Sequence, residues 1–323
     1  MKRIAVLTSG GDNPGLNPCI RAVVRMGLYM GVEVMGIRRG YAGLIDGEID
    51  EMQARSVSGI IGTGGTILGT SRCERYMHSA GQREALRNLN ETGVDALVVI
   101  GGDGSMRGAQ ALHEAGFPVC GVPATIENDL CGTDMAIGVD TALNTGLDIL
   151  DKIKDTASSR QEAYLIEVMG ARSGYLTLMT GLAGGAEMVC LPETQYTAKD
   201  VVAEVADAYV RGKRHCIVMV ATGARPGASE LAAYLNAHES ETGFSAYLSA
   251  LGPVQRGGAP LANDRFLATR LGAAAVRLLE DGQPGRMVGI VDGELISTPL
   301  AEVIDCVRGV TEEEIALAEI LAR

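Results

Sequence analysis

Ala96-Leu97-Val98-Val99-Ile100-Gly101-Gly102-Asp103-Gly104-Ser105, followed by Phe117-Pro118-Val119-Cys120-Gly121-Val122-Pro123-Ala124-Thr125-Ile126-Glu127-Asn128-Asp129, decides how this chain is read. Each begins as a short apolar run, the pattern of a strand buried on both faces in a parallel sheet. Each ends in a loop of polar and small residues at the strand's carboxyl end, where open α/β sheets bind ligands. The first loop is glycine-rich around an acid and suits phosphates with a hydrated magnesium ion. The second sets two carboxylates beside a threonine and suits removal of a hydroxyl proton. Together they point to phosphoryl transfer from a nucleotide to an alcohol.

Outward from these loops, strand-like and helical periods alternate. Strands are expected at 4–8, 33–37, 96–100 and 118–122, with helices at 16–30, 79–92 and 105–115, which makes a parallel, doubly wound α/β lobe. An amphipathic helix from about 139 to 156 leads to strands at 163–169, 188–191 and 216–221. Helices at 174–183, 198–210 and 229–241 accompany them, and a helix at 264–281 precedes a strand at 287–291. A chain of 323 residues exceeds one ordinary core. Two lobes are expected: 1–138 with 256–308 for the nucleotide, and 139–255 with 309–323 for the acceptor.

Composition narrows the classes. A net charge of −12 with three Phe and no Trp argues against a nucleic-acid surface. No apolar run reaches the roughly 20 residues of a membrane span, and the N-terminus enters a strand directly, so a cytoplasmic protein is expected. Seven scattered cysteines without a CxxC are expected as free thiols, with no metal site of their own.

A second glycine-rich loop, Thr8-Ser9-Gly10-Gly11-Asp12-Asn13-Pro14-Gly15, follows the first strand and opens a helix. Glycine lets backbone approach a phosphate, and the helix N-terminus supplies amide donors. No GK[ST] follows, so it is not a Walker loop, and a tight strand-to-helix turn explains it equally. Asp103 reads as the magnesium-side acid or, more plainly, as a helix cap.

These loops, with Gly40-Tyr41-Ala42-Gly43-Leu44, Gly64-Gly65-Thr66, Gly69-Thr70-Ser71-Arg72, Glu167-Val168-Met169-Gly170 and Gln255-Arg256-Gly257-Gly258, resemble in order and spacing the ATP-type bacterial 6-phosphofructokinases across about residues 1–310. The resemblance implies two doubly wound α/β lobes of the phosphofructokinase type with the active site in the cleft between them. It also implies a homotetramer, ATP and Mg2+ as cofactors, and transfer to the 1-hydroxyl of fructose 6-phosphate. Gly11, Tyr41, Arg72, Cys73, Asp103, Gly104, Ser105 and Gly108 fall on nucleotide-site positions, Asp103 at the metal. Small residues at Gly104 and Ala124, where pyrophosphate-using relatives carry aspartate and lysine, favour ATP. Glu127 falls on the catalytic base, an aspartate in the family, with Thr125 and Asp129 retained and Arg72 facing the transferred group.

The acceptor shell departs from the family. Its phosphate-binding arginines fall on Glu162, which the family uses across a subunit boundary, and on Tyr247; its histidine falls on Pro253. A sugar-binding glutamate becomes Thr222, and the arginine after Met169-Gly170 becomes Ala171, with Arg172 beside it. Arg256 alone survives. A bare carboxylate at Glu162, about 4 Å from a phosphate charge, repels it by roughly 4 kcal/mol at an effective dielectric near 20. A sugar-like alcohol lacking that phosphate is therefore the expected acceptor. The alternatives are a true 6-phosphofructokinase, with Arg160 or Arg172 restoring charge, and a non-catalytic nucleotide-sensing paralogue. Arg21, Arg25, Lys154, Glu187, Arg211 and Lys213 fall on the family's allosteric site, or are ordinary surface charge.

Overall fold

The computed structural model describes residues 1–322. Its contacts divide the chain into a first unit, Met1–Ile126 with Leu130–Thr141 and Arg256–Val307, and a second made of Glu127–Asp129, Ala142–Gln255 and the chain from Arg308 onward.

The first unit begins β1 (Arg3–Ser9), α1 (Leu16–Tyr29), β2 (Glu33–Ile37), α2 (Gly40–Asp46), β3 (Ile49–Met52), α3 (Ser79–Glu91), β4 (Ala96–Gly101), α4 (Asp103–Glu114) and β5 (Val119–Pro123). Helix α5 (Val139–Arg160) then opens the second unit's run of β6 (Ala163–Val168), α6 (Tyr175–Gly184), β7 (Met188–Cys190), α7 (Ala198–Val210), β8 (Cys216–Ala221), α8 (Ala228–Ala237), α9 (Glu239–Thr242) and β9 (Ala246–Ala250). The chain returns to the first unit for α10 (Ala262–Glu280), β10 (Arg286–Val291), β11 (Glu294–Pro299) and α11 (Leu300–Ile304), and α12 (Glu312–Leu321) ends in the second.

In the first unit seven strands lie in the order β11-β10-β5-β4-β1-β2-β3. Alternate residues serve opposite faces, as strand geometry requires. Ile4 and Val6 of β1 join the α1 and α10 side of the core, while Ala5 and Leu7 join that of α2, α3 and α4. The strand order reverses between β1 and β4, so the loops after these neighbours leave the sheet side by side at a topological switch point. The second unit's sheet, β7-β8-β6-β9, is parallel throughout.

Three expectations need correction. The first sheet is not wholly parallel, because β3 and β11 pair antiparallel at its edges. Strand β11 returns through the tight turn Asp292-Gly293, whose φ values of 51° and 81° suit a two-residue hairpin. The helix expected over 229–241 is two, α8 and α9, with the break at His238. The cysteines are not all free: Cys131 and Cys306, 175 residues apart, form a disulfide. The fold brings their Cα atoms to 6.0 Å, a separation invisible in their scattered positions along the chain. Among the described residues, no helix is long and apolar enough to cross a membrane.

Candidate active site

The first unit holds the loops expected to take phosphate. Gly10 (φ 87°) turns the chain out of β1, and Thr70 Oγ1 donates to its carbonyl at 2.8 Å. Thr8 Oγ1 donates to the Gly69 carbonyl at 2.9 Å. Asn17, buried in the first turn of α1, donates to the Thr63 and Gly64 carbonyls and accepts from the Ile67 amide. Thr8 and Asn17 thus tie 63–70 to the loop after β1. Sequence reading missed both anchors, although polar residues at otherwise buried positions were the available signal.

Gly102, not Asp103, is the N-cap of α4; Asp103 is the first helical residue. Its carboxylate accepts from Arg107 Nε at 3.1 Å and keeps 14% exposure. Ser105 Oγ is buried in the same turn with no protein partner, and a Cβ at Gly104 would meet nothing within 4 Å. A buried hydroxyl with no protein partner and open space over Gly104, in the first turn of a helix, suit an anion. Ala124 is buried in the core, leaving no room there for a lysine.

Tyr41 lies inside the core at 4% exposure, stacked on Tyr76 at 4.0 Å, with its hydroxyl donating to the Ser105 carbonyl at 2.8 Å. Burial drives its pKa well above the ordinary tyrosine value. A Cβ at Gly108 would stand 2.6 Å from this ring, so Gly108 admits Tyr41 beneath α4. Both residues brace that turn from behind. Arg72 is exposed on the segment after Gly69, and Cys73 beside it is half-buried against the core. Arg256, half-buried, reaches back to the loop after β1, where its Nη1 donates to the Asp12 carbonyl at 3.4 Å and its guanidinium fills the space a side chain at Gly11 would take.

The second unit carries most of the residues expected on the acceptor side. Glu127 Oε2 accepts from the Ala171 amide at 2.9 Å, which holds the carboxylate at the backbone beside the Met169-Gly170 pair. Asn128 follows with φ 50°, and the Asp129 carbonyl accepts from the Arg308 amide at 3.1 Å. Thr125 precedes them at the first unit's end of the loop, half-buried. Met169 N–H donates to Gln255 Oε1 at 2.9 Å, and Gly170 N–H to Thr222 Oγ1 at 3.2 Å. Thr222 therefore shapes the 169–172 loop rather than offering a carboxylate. Gln255, fully buried, is a support that sequence reading passed over. Arg172 and Pro253 are exposed.

Glu162 and Tyr247 stand elsewhere. They lie at the amino ends of β6 and β9, whereas Met169–Arg172 follows the carboxyl end of β6. Six residues of strand at roughly 3.3 Å each separate the two by about 20 Å. Nor is Glu162 the bare charge expected. Its carboxylate, 6% exposed, accepts from Arg160 Nε at 2.5 Å and from the Tyr164 hydroxyl at 3.2 Å. Tyr164 stacks on Tyr247, and the Arg160 guanidinium stands 6.0 Å from the Tyr247 ring centre. The pair is neutral and Arg160 stays 63% exposed, so the repulsion reckoned for an unpaired carboxylate falls away.

Of the six effector-type residues, four lie in the second unit. Glu187, 6% exposed, accepts from Lys213 Nζ at 2.9 Å and from the Ile217 amide at 2.6 Å. Lys154 Nζ donates to the Gly184 carbonyl, and Arg211 pairs with Glu204 and Asp207. Glu187 is thus a buried anchor rather than surface charge. Arg21 and Arg25 stand on α1 of the first unit, half-buried and exposed respectively.

Comparison with known proteins agrees with this arrangement. Residues 3–279 match the family described as Phosphofructokinase. The ATP-dependent 6-phosphofructokinase of Bacillus subtilis is 49% identical over 305 residues, 94% of each chain. ATP-dependent 6-phosphofructokinase 1 of Thermus thermophilus is 50% identical over 324 residues, covering both chains completely. Among solved structures, Pichia pastoris phosphofructokinase in the T-state superposes with a TM-score of 0.88 at 36% identity over 94% of this chain, and phosphofructokinase from Saccharomyces cerevisiae with 0.87 at 32% over all of it. This chain spans 35% and 48% of those two yeast chains. Identity near one half, carried from end to end across both sets of loops, means that the chain belongs to the phosphofructokinase family.

Proposed function

We propose that this chain transfers the γ-phosphoryl group of ATP, as its Mg2+ complex, to the 1-hydroxyl of fructose 6-phosphate. The observation that carries this reading is the near-half identity, along the whole chain, to enzymes named ATP-dependent 6-phosphofructokinase. The neutral Arg160–Glu162 pair supports it, because the chief objection to a phosphate-bearing acceptor was an unpaired Glu162.

In this reading the amides at the start of α4, the Ser105 hydroxyl and the glycine loop after β1 hold the triphosphate, with room for a nucleotide above Gly104. Among the described residues, no cluster of three or more His, Cys, Asp or Glu side chains forms a metal cage. A single carboxylate, Asp103, completed by phosphate and water oxygens, fits Mg2+, which keeps several waters and needs few protein ligands. Bound there, the ion would neutralise charge on the triphosphate. Glu127, its carboxylate oriented by the Ala171 amide, takes the proton of the acceptor hydroxyl. Arg72 meets the charge that develops on the transferred group, and Thr125 and Asp129 hold the loop that presents the base. Met169, Gly170, Arg172 and Arg256 are assigned to acceptor binding by the family likeness. A homotetramer, a cytoplasmic location and an effector role for Arg21, Arg25, Lys154, Glu187, Arg211 and Lys213 belong to the same proposal.

A second reading keeps the kinase and changes the acceptor to a sugar-like alcohol without the 6-phosphate; the replacement of two arginines and a histidine by Glu162, Tyr247 and Pro253 favours it. ADP release from Mg·ATP decides between them. Fructose 6-phosphate is run beside fructose, polyols, nucleosides and other sugar phosphates. Fastest turnover with fructose 6-phosphate is expected; turnover confined to an unphosphorylated alcohol would overturn the first reading.

A further inference from the structure

The disulfide between Cys131 and Cys306 sits where two irregular segments meet. Cys131 follows Asp129 by two residues, on the stretch between β5 and α5 that carries Glu127. Cys306 lies between α11 and Arg308. Each segment has one well-anchored flank in the first unit. Beyond Cys131, the Asp134 amide donates to the Ile290 carbonyl at 2.8 Å, and the Asp292 amide to Asp134 Oδ2 at 2.7 Å. Before Cys306, the Ile304 carbonyl accepts from Arg107 Nη2 at 2.6 Å. Between those anchors the covalent bond fixes the course of 129–133 and of 305–308.

Among the described residues the pair includes the exposed cysteine. Cys306 is exposed and Cys131 half-buried, whereas Cys19, Cys120, Cys190 and Cys216 are buried and Cys73 is only partly accessible. Burial raises the thiol pKa of all four buried cysteines, which makes them poor nucleophiles.

We infer that Cys131 and Cys306 form a thiol–disulfide exchange site, with a small thiol or its disulfide as reactant, whose opening loosens the Glu127 loop and lowers turnover. A reductant thiolate attacks the exposed Sγ of Cys306, breaking the protein's S–S bond and leaving Cys131 as the departing thiolate. A second reductant thiolate then attacks the mixed disulfide and releases Cys306. Two electrons and two protons end on the two protein thiols, and the reductant leaves as its disulfide. Re-closure runs in reverse, with a small-molecule disulfide as the oxidant.

Opening removes the covalent tie between 129–133 and 305–308 and leaves the Asp129 carbonyl–Arg308 amide hydrogen bond and the buried Leu130 to hold the loop. A catalytic base displaced by about 1 Å loses on the order of 100-fold, so a partial loosening gives a several-fold loss. The turnover part of the test rests on the proposed function; thiol counting and amide exchange do not, so failure of either idea is distinguishable. The folded enzyme is incubated with dithiothreitol or with glutathione disulfide, alkylated, and mapped by peptide mass. Hydrogen exchange of 127–133 and turnover are read on the same samples. The expected result is alkylation of Cys131 and Cys306 only after reduction, faster exchange of 127–133, and a several-fold fall in kcat that glutathione disulfide reverses. The double change Cys131→Ser with Cys306→Ser should show the reduced-state rate and keep it with either reagent. Alkylation of both sulfurs without reductant after glutathione disulfide treatment, or equal exchange and equal kcat in the two states, would overturn the inference. Native-state reduction needs no substitution and so decides even if the variant fails to fold.

Discussion

Replacing Gly11 by alanine tests the loop after β1 through a single methyl group. The Cβ would stand 1.8 Å from Arg256 Nη1 and 2.8 Å from Cζ. An ordinary contact begins at 3.4 Å, so the guanidinium must retreat by about 1.6 Å. The atoms displaced are the far end of a flexible side chain, and Gly11 does not occupy the left-handed region, so the fold should absorb the change with a stability loss within about 0.5 kcal/mol. Acceptor recognition should not. A charge-assisted hydrogen bond from Arg256 to an acceptor phosphate is worth about 1.5–3 kcal/mol, which corresponds to roughly 10- to 150-fold in kcat/KM. Steady-state kinetics should show the loss in kcat/KM for fructose 6-phosphate. An Arg256→Ala change made in the same chain should add little, because both act on one guanidinium. Additive losses from the two substitutions, or an unchanged kcat/KM with a lowered melting temperature, would refute the reasoning.

Three further outcomes follow from named contacts. Glu127→Gln should lower kcat by at least about 100-fold, the least a positioned general base supplies, while ATP binding measured by calorimetry stays unchanged; normal turnover would remove Glu127 from the base role. Asp264, buried in α10, accepts from the Gly138 amide, the Thr141 amide and the Thr141 hydroxyl at the start of α5. Asp264→Ala strands these three donors and should cost about 3–5 kcal/mol in urea denaturation; a loss under about 1 kcal/mol would contradict that role. Burial holds the His215 imidazole below its usual pKa, with Lys154 and Lys213 adding to the shift and Glu187 opposing it. Between the lowered folded value and 6.5 the unfolded chain binds more protons, so this contribution is complete above pH 6.5 and is lost as pH falls. The denaturation midpoint should therefore drop less between pH 7.5 and 5.5 in His215→Gln than in the parent, and identical drops would exclude His215.

Much of the architecture was legible because the central strands are buried on both faces. Ala96–Gly101 and Cys216–Ala221 are fully buried along their length, and such runs stand out in sequence. The edges were not legible. Ile49–Met52 carries Asp50 and Glu51, and Glu294–Pro299 mixes Glu, Ser and Thr with exposed Leu295 and Ile296, because an edge strand needs only one covered face. The Asp292-Gly293 turn was the missed signal for the second of these. At the site, the loops could be placed at the strand ends, since glycine and carboxylate spacing is local. The partnership of Glu162 with Arg160 and Tyr164 could not, because sequence shows which charges exist and not which way they fold. That contact removes the repulsion reckoned against a phosphate-bearing acceptor, whereas the identity to enzymes named ATP-dependent 6-phosphofructokinase carries the proposed acceptor. The disulfide was hidden for the same reason: its two sulfurs meet only through the fold.

Phosphorus NMR of the enzyme with Mg·ATP and fructose 6-phosphate tests the account most directly. The account predicts loss of the ATP γ resonance matched by ADP and by a second phosphomonoester on the same sugar, at carbon 1. ATP consumed only when an unphosphorylated alcohol is added, with fructose 6-phosphate left intact, would contradict it.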